Sequence, residues 1–299
     1  MEAIRVTNVN SNINDTALVF EGGGMRASYT SAFVNVLLEN EIYFNDVYGV
    51  SAGSSNGVNY LARDKKRTKA SFTTFAADPD FGSIGTFLTG KGIFSAKYIY
   101  QESGKPNGVL PYNFSAFESN PANLIIEGFD RDNGKTLYWK KKDCATLDDL
   151  MLRVRASSSL PFVMPPAEID GRACYDGGLG EGSGIMVPRA EADGFERFVV
   201  VCTRPKGYRK NERSNSLINA FFWRRPYVQD ALKTRARRYN EQLDRLLDLE
   251  ASGRAFVFYA EGQQVESGER NVEILEANYA RGYEQAQQGL EGLTAFLQS

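Results

Sequence analysis

Histidine is absent from all 299 residues. That gap excludes Ser-His-Asp and Cys-His hydrolytic centres, zinc sites built on imidazole, and histidine as a general base. Cysteine is scarce as well. Cys144, Cys174 and Cys202 are too few and too widely spaced for a disulfide framework or a zinc motif, which fits a reducing, cytoplasmic setting. The longest apolar runs, Phe198–Cys202 and Ala255–Ala260, fall far short of the roughly 18 residues of a membrane helix. The first fifteen residues lack the basic and apolar regions of a secretory signal. Charge of one sign is not in excess: 35 Lys and Arg oppose 37 Asp and Glu, a net charge of -2 that gives no support to nucleic-acid binding. With 42% hydrophobic and 24% charged residues the chain is expected to fold around a core that needs no staples.

What is present alternates. Thr16–Phe20 is a short apolar run stopped by glycines, as in a buried parallel strand, and Met25–Asn40 has helical spacing in Ala32, Phe33, Val36 and Leu37. Asp46–Val50 reads as a second strand, Asn56–Arg63 as a second helix, and Leu124–Ile126, Phe198–Cys202 and Ala255–Ala260 as further strands. Such alternation predicts an α/β fold with a mostly parallel sheet covered by helices on both faces. From Pro226 onward the pattern is helical, with one stripe in Val228, Leu232, Ala236, Tyr239, Leu243 and Leu247 and a last helix running from Val272 to Leu297. No repeat or linker interrupts the chain, so a single domain over residues 1–299 is expected, with a core to about residue 205 and a mainly helical portion over 206–299.

Three glycine-rich patches carry chemistry. Gly49-Val50-Ser51-Ala52-Gly53 is a G-x-S-x-G between a strand and a helix, which turns the chain sharply and lifts the Ser51 hydroxyl above the sheet. Gly22-Gly23-Gly24 bares successive backbone N–H groups after the first strand, as an oxyanion hole or a phosphate site requires. The same patch fits a dinucleotide fingerprint through Gly22, Gly24 and Ala27, which keeps a nucleotide- or phosphate-binding module as the alternative. Against it, the second strand ends in the serine turn, and Asp46 lies at the wrong end to meet a ribose. Asp176-Gly177-Gly178 is expected at a loop tip; in a chain without histidine its carboxylate is the natural partner for Ser51.

In this order, Gly22-Gly23-Gly24-Met25-Arg26, Gly49-Val50-Ser51-Ala52-Gly53 and Asp176-Gly177-Gly178, with Ala156–Pro161 before the last, resemble the signatures of the patatin-like phospholipase family. Thr203–Arg209 resembles its bacterial branch, whose members carry a helical C-terminal portion. The resemblance implies a three-layer αβα sandwich and a serine acyl hydrolase acting on lipid acyl esters through a Ser-Asp dyad and an acyl-enzyme, without cofactor or metal. Carried onto this chain, Ser51 is the nucleophile, Asp176 its base, and the Gly22, Gly23 and Gly24 amides the oxyanion hole, supported by Arg26. As a base, Asp starts about 2.6 pKa units below histidine, roughly 3.5 kcal/mol, a deficit that burial would reduce. A lipid-binding protein of low turnover on the same fold is a further alternative.

Two stretches are candidates for lipid contact. Phe81–Tyr100 sets apolar side chains on a glycine-loosened backbone, as a mobile cover over an acyl groove would. Arg204–Arg238 holds eleven basic residues against two acidic ones around Phe221-Phe222-Trp223, and is expected either to touch an anionic membrane peripherally or to be a solvated face with Phe221 and Phe222 in the core. The sequence carries no signal for oligomeric state.

Overall fold

The computed structural model describes residues 10–82, 93–212, 215–263 and 265–299. Within them, eight strands form one sheet: β1 (Thr16–Phe20), β2 (Asp46–Val50), β3 (Asn123–Asp130), β4 (Thr136–Lys140), β5 (Ala167–Ile169), β6 (Arg172–Asp176), β7 (Arg197–Val201) and β8 (Ala255–Phe258). Strands β3, β2, β1, β7 and β8 run parallel in that spatial order. The helices are α1 (Ala27–Glu39), α2 (Ala52–Leu61), α3 (Lys65–Ala70), α4 (Phe114–Ser119), α5 (Leu147–Ser158), α6 (Val187–Ala192), α7 (Asn215–Phe222), α8 (Pro226–Ala251), α9 (Val272–Gln288) and α10 (Leu290–Gln298).

Alternation along the strands builds three layers. In β1, Leu18 and Phe20 join one core with α1, α2 and α5, while Ala17 and Val19 join another with α6 and α8. Strand β7 divides likewise, Val199 and Val201 to the first core and Phe198 and Val200 to the second. Each such fully buried leucine, valine or phenylalanine side chain contributes about 1.5–3 kcal/mol, and a one-residue slip would exchange the two faces, so this burial fixes the register.

The helical portion departs from expectation in detail. Tyr239 and Leu243 of α8 are buried as the stripe predicts, but Leu246 and Leu249, not Leu247, continue it. The last helix divides into α9 and α10 at Gly289, a poor helix former. The second helix starts at Ala52 rather than Asn56, because the turn is completed by Ser51 alone.

The chain leaves β1 for β2 on one side and later places β7 on the other, a topological switch point. Open α/β sheets bind ligands beyond the carboxyl ends of the strands at such a point. Gly22–Gly24 follow β1, Ser51 follows β2 and Thr203 follows β7, so all three converge there.

Candidate active site

Ser51 is the only residue between β2 and α2, and it makes the turn with φ 55 and ψ -128, a strained conformation for a non-glycine residue. The crowding explains its small neighbours. A Cβ at Gly49 would stand 2.6 Å from the Gly53 carbonyl oxygen, and one at Gly53 would overlap the Phe20 carbonyl. The strained turn is held from three directions: the Ser51 N–H donates to Ser157 Oγ (2.8 Å), and its carbonyl accepts from Ser54 N–H (2.9 Å) and Ser54 Oγ (2.6 Å).

Asp176 reaches Ser51 through sheet register. Val50 pairs with Glu127 of β3, and Asp176 pairs with Gly128, the next residue along. Strand β4 runs beside Ile125–Phe129 and so occupies the opposite edge of β3, which leaves β6 to continue the line that β2 ends. Asp176 is therefore the last residue of a strand and 3% exposed, not the loop tip expected from its glycines. Its N–H donates to the Ser159 carbonyl (3.0 Å) and its Oδ1 accepts from Gly178 N–H (2.7 Å). The Ser51 side chain lies near its carboxylate, and both residues line the same cavity. Burial raises the Asp176 pKa above the ordinary value; Arg235, the Gly178 N–H, Ser51 and Lys210 oppose that shift without cancelling it.

The glycine loop narrows the expected donor set. The Gly22 N–H is already given to the Gly184 carbonyl (3.1 Å), which corrects its assignment as a free donor, and Met25 N–H goes to the Ser267 carbonyl (2.9 Å). Gly23 and Gly24 have no partner for their N–H groups among the described residues. Gly24 sits at φ 58, where glycine alone is unstrained. Beneath the loop, buried Glu21 accepts from Tyr239 Oη (2.5 Å) and Thr203 N–H (2.5 Å), and Thr203 Oγ1 donates to the Gly22 carbonyl (3.2 Å). Arg26 faces the same space, its guanidinium pKa lowered first by burial and then by Arg204.

Ser51, Asp176, Glu21, Gly22–Gly24 and Arg26 line one cavity of about 850 Å³. One lobe is apolar, walled by Phe72, Phe75, Phe81, Phe94, Leu110 and Met151. Of the expected cover, Phe81, Ile93, Phe94, Ile99 and Tyr100 line this lobe, whereas residues 83–92 lie outside the described residues. Arg270 ties the start of that segment down by donating to the carbonyls of Ala76 (3.0 Å) and Asp78 (3.2 Å). The lining also includes Arg26, Arg204, Lys210 and Arg235, with Arg26, Arg204 and Arg235 close enough to act on Lys210.

The basic stretch is thus not one face. Arg204, Lys210 and Arg235 turn inward to the cavity, while Arg225 pairs with Asp132 (3.0 Å) and Arg237 with Glu241 (2.6 Å) on the surface. Arg213 lies outside the described residues. The aromatic triplet divides too: Phe222 is 8% exposed, Phe221 68% and Trp223 73%. Phe162 packs edge-on against both phenylalanines, while its neighbours Leu160, Val163 and Met164 line the cavity, so the exposed rings lie close to the cavity wall.

Several site residues escaped sequence reasoning. Ser157 appears there only as a serine near the Asp loop, and no local pattern shows that it holds the Ser51 turn. Lys210, Arg235 and Tyr239 read as members of a charge run and an apolar stripe. Strands β5 and β6 did leave a signal: Asp170 (φ 52) and Gly171 (φ 74) form the two-residue turn that an Asp-Gly pair favours.

The family model described as Patatin-like phospholipase matches residues 18–188, more than half of the chain. The chain belongs to the patatin-like phospholipase family. That match spans the glycine loop, the Ser51 elbow and Asp176. A second model, described as Domain of unknown function (DUF6363), matches residues 225–298. Among solved structures, the crystal structure of VipD from Legionella pneumophila is similar in fold, with a TM-score of 0.51 at 13% identity over 93% of this chain and 67% of that one. No curated protein matches the sequence. Family membership makes this a protein of the lipid-hydrolase class, and no helix among the described residues is long and apolar enough to cross a membrane.

Proposed function

We propose that the chain is a serine acyl hydrolase that cleaves lipid acyl esters with Ser51 as nucleophile and Asp176 as base. The observation that carries this reading is the buried Asp176 carboxylate close to Ser51, both at the wall of a cavity lined largely by apolar side chains, in a chain without histidine. Ser51 Oγ attacks the ester carbonyl carbon while Asp176 takes its proton. The oxyanion is met by the Gly23 and Gly24 N–H groups and by the charge of Arg26; one such donor is worth about 2.7–4 kcal/mol in other enzymes. Collapse expels the alcohol, which takes the proton from Asp176 and leaves an acyl ester on Ser51. Water then attacks that ester, giving its proton to Asp176, and Ser51 is released protonated. Burial that raises the Asp176 pKa makes it a stronger base than an ordinary carboxylate.

The apolar lobe and the committed Gly22 N–H favour an acyl chain over a nucleotide. The exposed Phe221 and Trp223, with Arg224 and Arg225 beside them, are where we infer that the protein meets an anionic lipid surface. A fluorophosphonate probe is expected to label Ser51, and Ser51→Ala to abolish both labelling and p-nitrophenyl butyrate hydrolysis with an unchanged circular-dichroism spectrum. Labelling and hydrolysis that survive in Ser51→Ala would overturn the assignment, and a wild-type chain that neither labels nor hydrolyses would leave the low-turnover lipid binder.

A further inference from the structure

The apolar lobe has a direction, set by two helices that meet at Ser51. Helix α2 begins at Ala52, and Ala52, Ser55 and Val58 line the cavity at successive turns. Helix α5 ends beside Ser51, where Ser157 accepts the Ser51 N–H, and lines the cavity with Ser158, Val154 and Met151. Val58, Val154 and Met151 belong to one hydrophobic cluster, so the two helices stay together as they leave Ser51. A helix rises about 1.5 Å per residue, which sets Asn59 about 12 Å from Ser51 along α2 and Met151 about 9 Å from Ser157 along α5.

At that depth the lining ends on a charged side chain. Arg67 of α3 lines the cavity and is 8% exposed, and its Nη1 donates to Asn59 Oδ1 (3.0 Å) and Ser71 Oγ (3.2 Å). Its guanidinium carbon lies 5.1 Å from the ring centroid of Tyr112, whose hydroxyl donates to the Val58 carbonyl (2.7 Å). Guanidinium and ring therefore close the same end of the lobe. The Nε of Arg67 is buried and has no hydrogen-bond partner among the described residues. Burial lowers the Arg67 pKa, and Tyr112 and Asp64 oppose that shift. An alkyl chain offers this group no acceptor, whether or not Asp64 offsets part of its charge. Carbon pressed against it strips polar atoms of water and returns no hydrogen bond, which cancels what burial of a further methylene gains.

An extended chain advances about 3.3–3.6 Å for every three bonds, so a depth of about 9–12 Å holds about eight to ten carbons. We infer that Arg67 is the end stop of the acyl lobe and a specificity-determining residue, so that the substrate class is esters of medium-chain acids rather than long-chain ones.

The inference rests on the hydrolase reading for the place of the ester, and its test needs no turnover. The full chain carrying Ser51→Ala is titrated calorimetrically with hexanoyl, octanoyl, decanoyl, dodecanoyl and tetradecanoyl lysophosphatidylcholine, each below its micelle concentration. Affinity should rise about four-fold per methylene up to the decanoyl chain and then stay flat or fall. Adding Arg67→Met, which removes the polar end of the side chain, should move the break to longer chains and raise the tetradecanoyl-to-decanoyl affinity ratio at least five-fold. Arg67→Lys should keep the break. Val58→Phe, which narrows the lobe ahead of Arg67, should move the break to shorter chains, and it carries the test if Arg67→Met does not fold. An unbroken rise through tetradecanoyl, or a break that neither Arg67→Met nor Val58→Phe moves, would overturn the end stop. A loss of affinity equal at every chain length in Arg67→Met would make Arg67 structural only and overturn it too. A break at decanoyl in a protein whose wild type hydrolyses no ester would sink the hydrolase reading alone. Wild-type hydrolysis whose kcat/KM climbs without a break through tetradecanoyl esters would sink the end stop alone.

Discussion

Asp176→Asn separates the base from the shape of the site. Asparagine keeps the Oδ1 acceptor for the Gly178 N–H but cannot take the Ser51 proton. General-base catalysis is typically worth about 10²–10⁴-fold, or about 2.7–5.4 kcal/mol of barrier, so kcat should fall by that factor while KM for p-nitrophenyl butyrate changes little. The fold should tolerate the change. The Asp176 pKa is raised even with Arg235 and Lys210 nearby, so burial outweighs their attraction and the charged form is the disfavoured one. A carboxyl whose folded pKa lies above its unfolded value contributes stability below the unfolded pKa and loses it as pH rises through the folded pKa. The asparagine chain escapes that loss, so its melting temperature relative to wild type should improve as pH rises from 4 towards 7. Kinetically, the acidic limb of kcat/KM in the wild type should lie above the ordinary Asp value near 3.9 and vanish in the variant. Stopped assays across this pH range, with scanning calorimetry of the same samples, give both readouts. A variant that retains more than a tenth of wild-type kcat, or that keeps the acidic limb, would refute Asp176 as the base.

Three further outcomes are expected. Ser157→Ala leaves the Ser51 N–H without the hydroxyl that accepts it, a loss of about 1–3 kcal/mol, and should lower both the melting temperature and kcat with KM nearly unchanged; unaltered kinetics would show that the elbow does not depend on it. Glu127 is fully buried beside Asp176 and Glu181, and burial holds its pKa well above the ordinary value, so Glu127→Gln should raise the melting temperature at pH 8 but not at pH 4; the opposite pH dependence would contradict a protonated carboxyl. Of the two tryptophans Trp139 is buried and Trp223 exposed, so anionic vesicles should shift the emission of Trp223 to the blue and salt should reverse the shift; no shift, or an equal one with neutral vesicles, would return these rings to solvent.

How far the sequence reveals this molecule depends on whether the deciding contact is local. Strands β1 and β7 are runs of five residues, nearly all fully buried, and apolar content alone exposes them. The Ser51 elbow is legible for the same reason, since its crowding is set by Gly49 and Gly53 two residues away. Strand β4, whose residues are mostly half-exposed, carries mixed polarity and leaves no such run. The Gly22 N–H could not be judged from its neighbours, because its acceptor, Gly184, is far along the chain. The charge run Arg204–Arg238 was visible as a run, but its division between cavity and surface follows from where α8 docks, which composition does not record.

The two matched segments meet at the cavity, and this bears on what the second one does. Residues 18–188 supply the glycine loop, Ser51, Asp176 and most of the apolar lobe. Residues 225–298 supply Arg235, which faces Asp176, and Tyr239, which holds Glu21 beneath the glycine loop and carries Lys210 on its ring. Truncation before residue 225 would therefore remove more than a distal cover. It would leave buried Glu21 without the Tyr239 hydroxyl, at the base of the glycine loop that lines the cavity. A buried carboxylate deprived of a hydrogen bond is costly, on the order of 1–3 kcal/mol or more, and that cost falls on the loop itself. On this physical ground the helical portion is a structural part of the cavity, with Ser51 and Asp176 at the ends of strands and Arg235 and Tyr239 on the long helix packed against them.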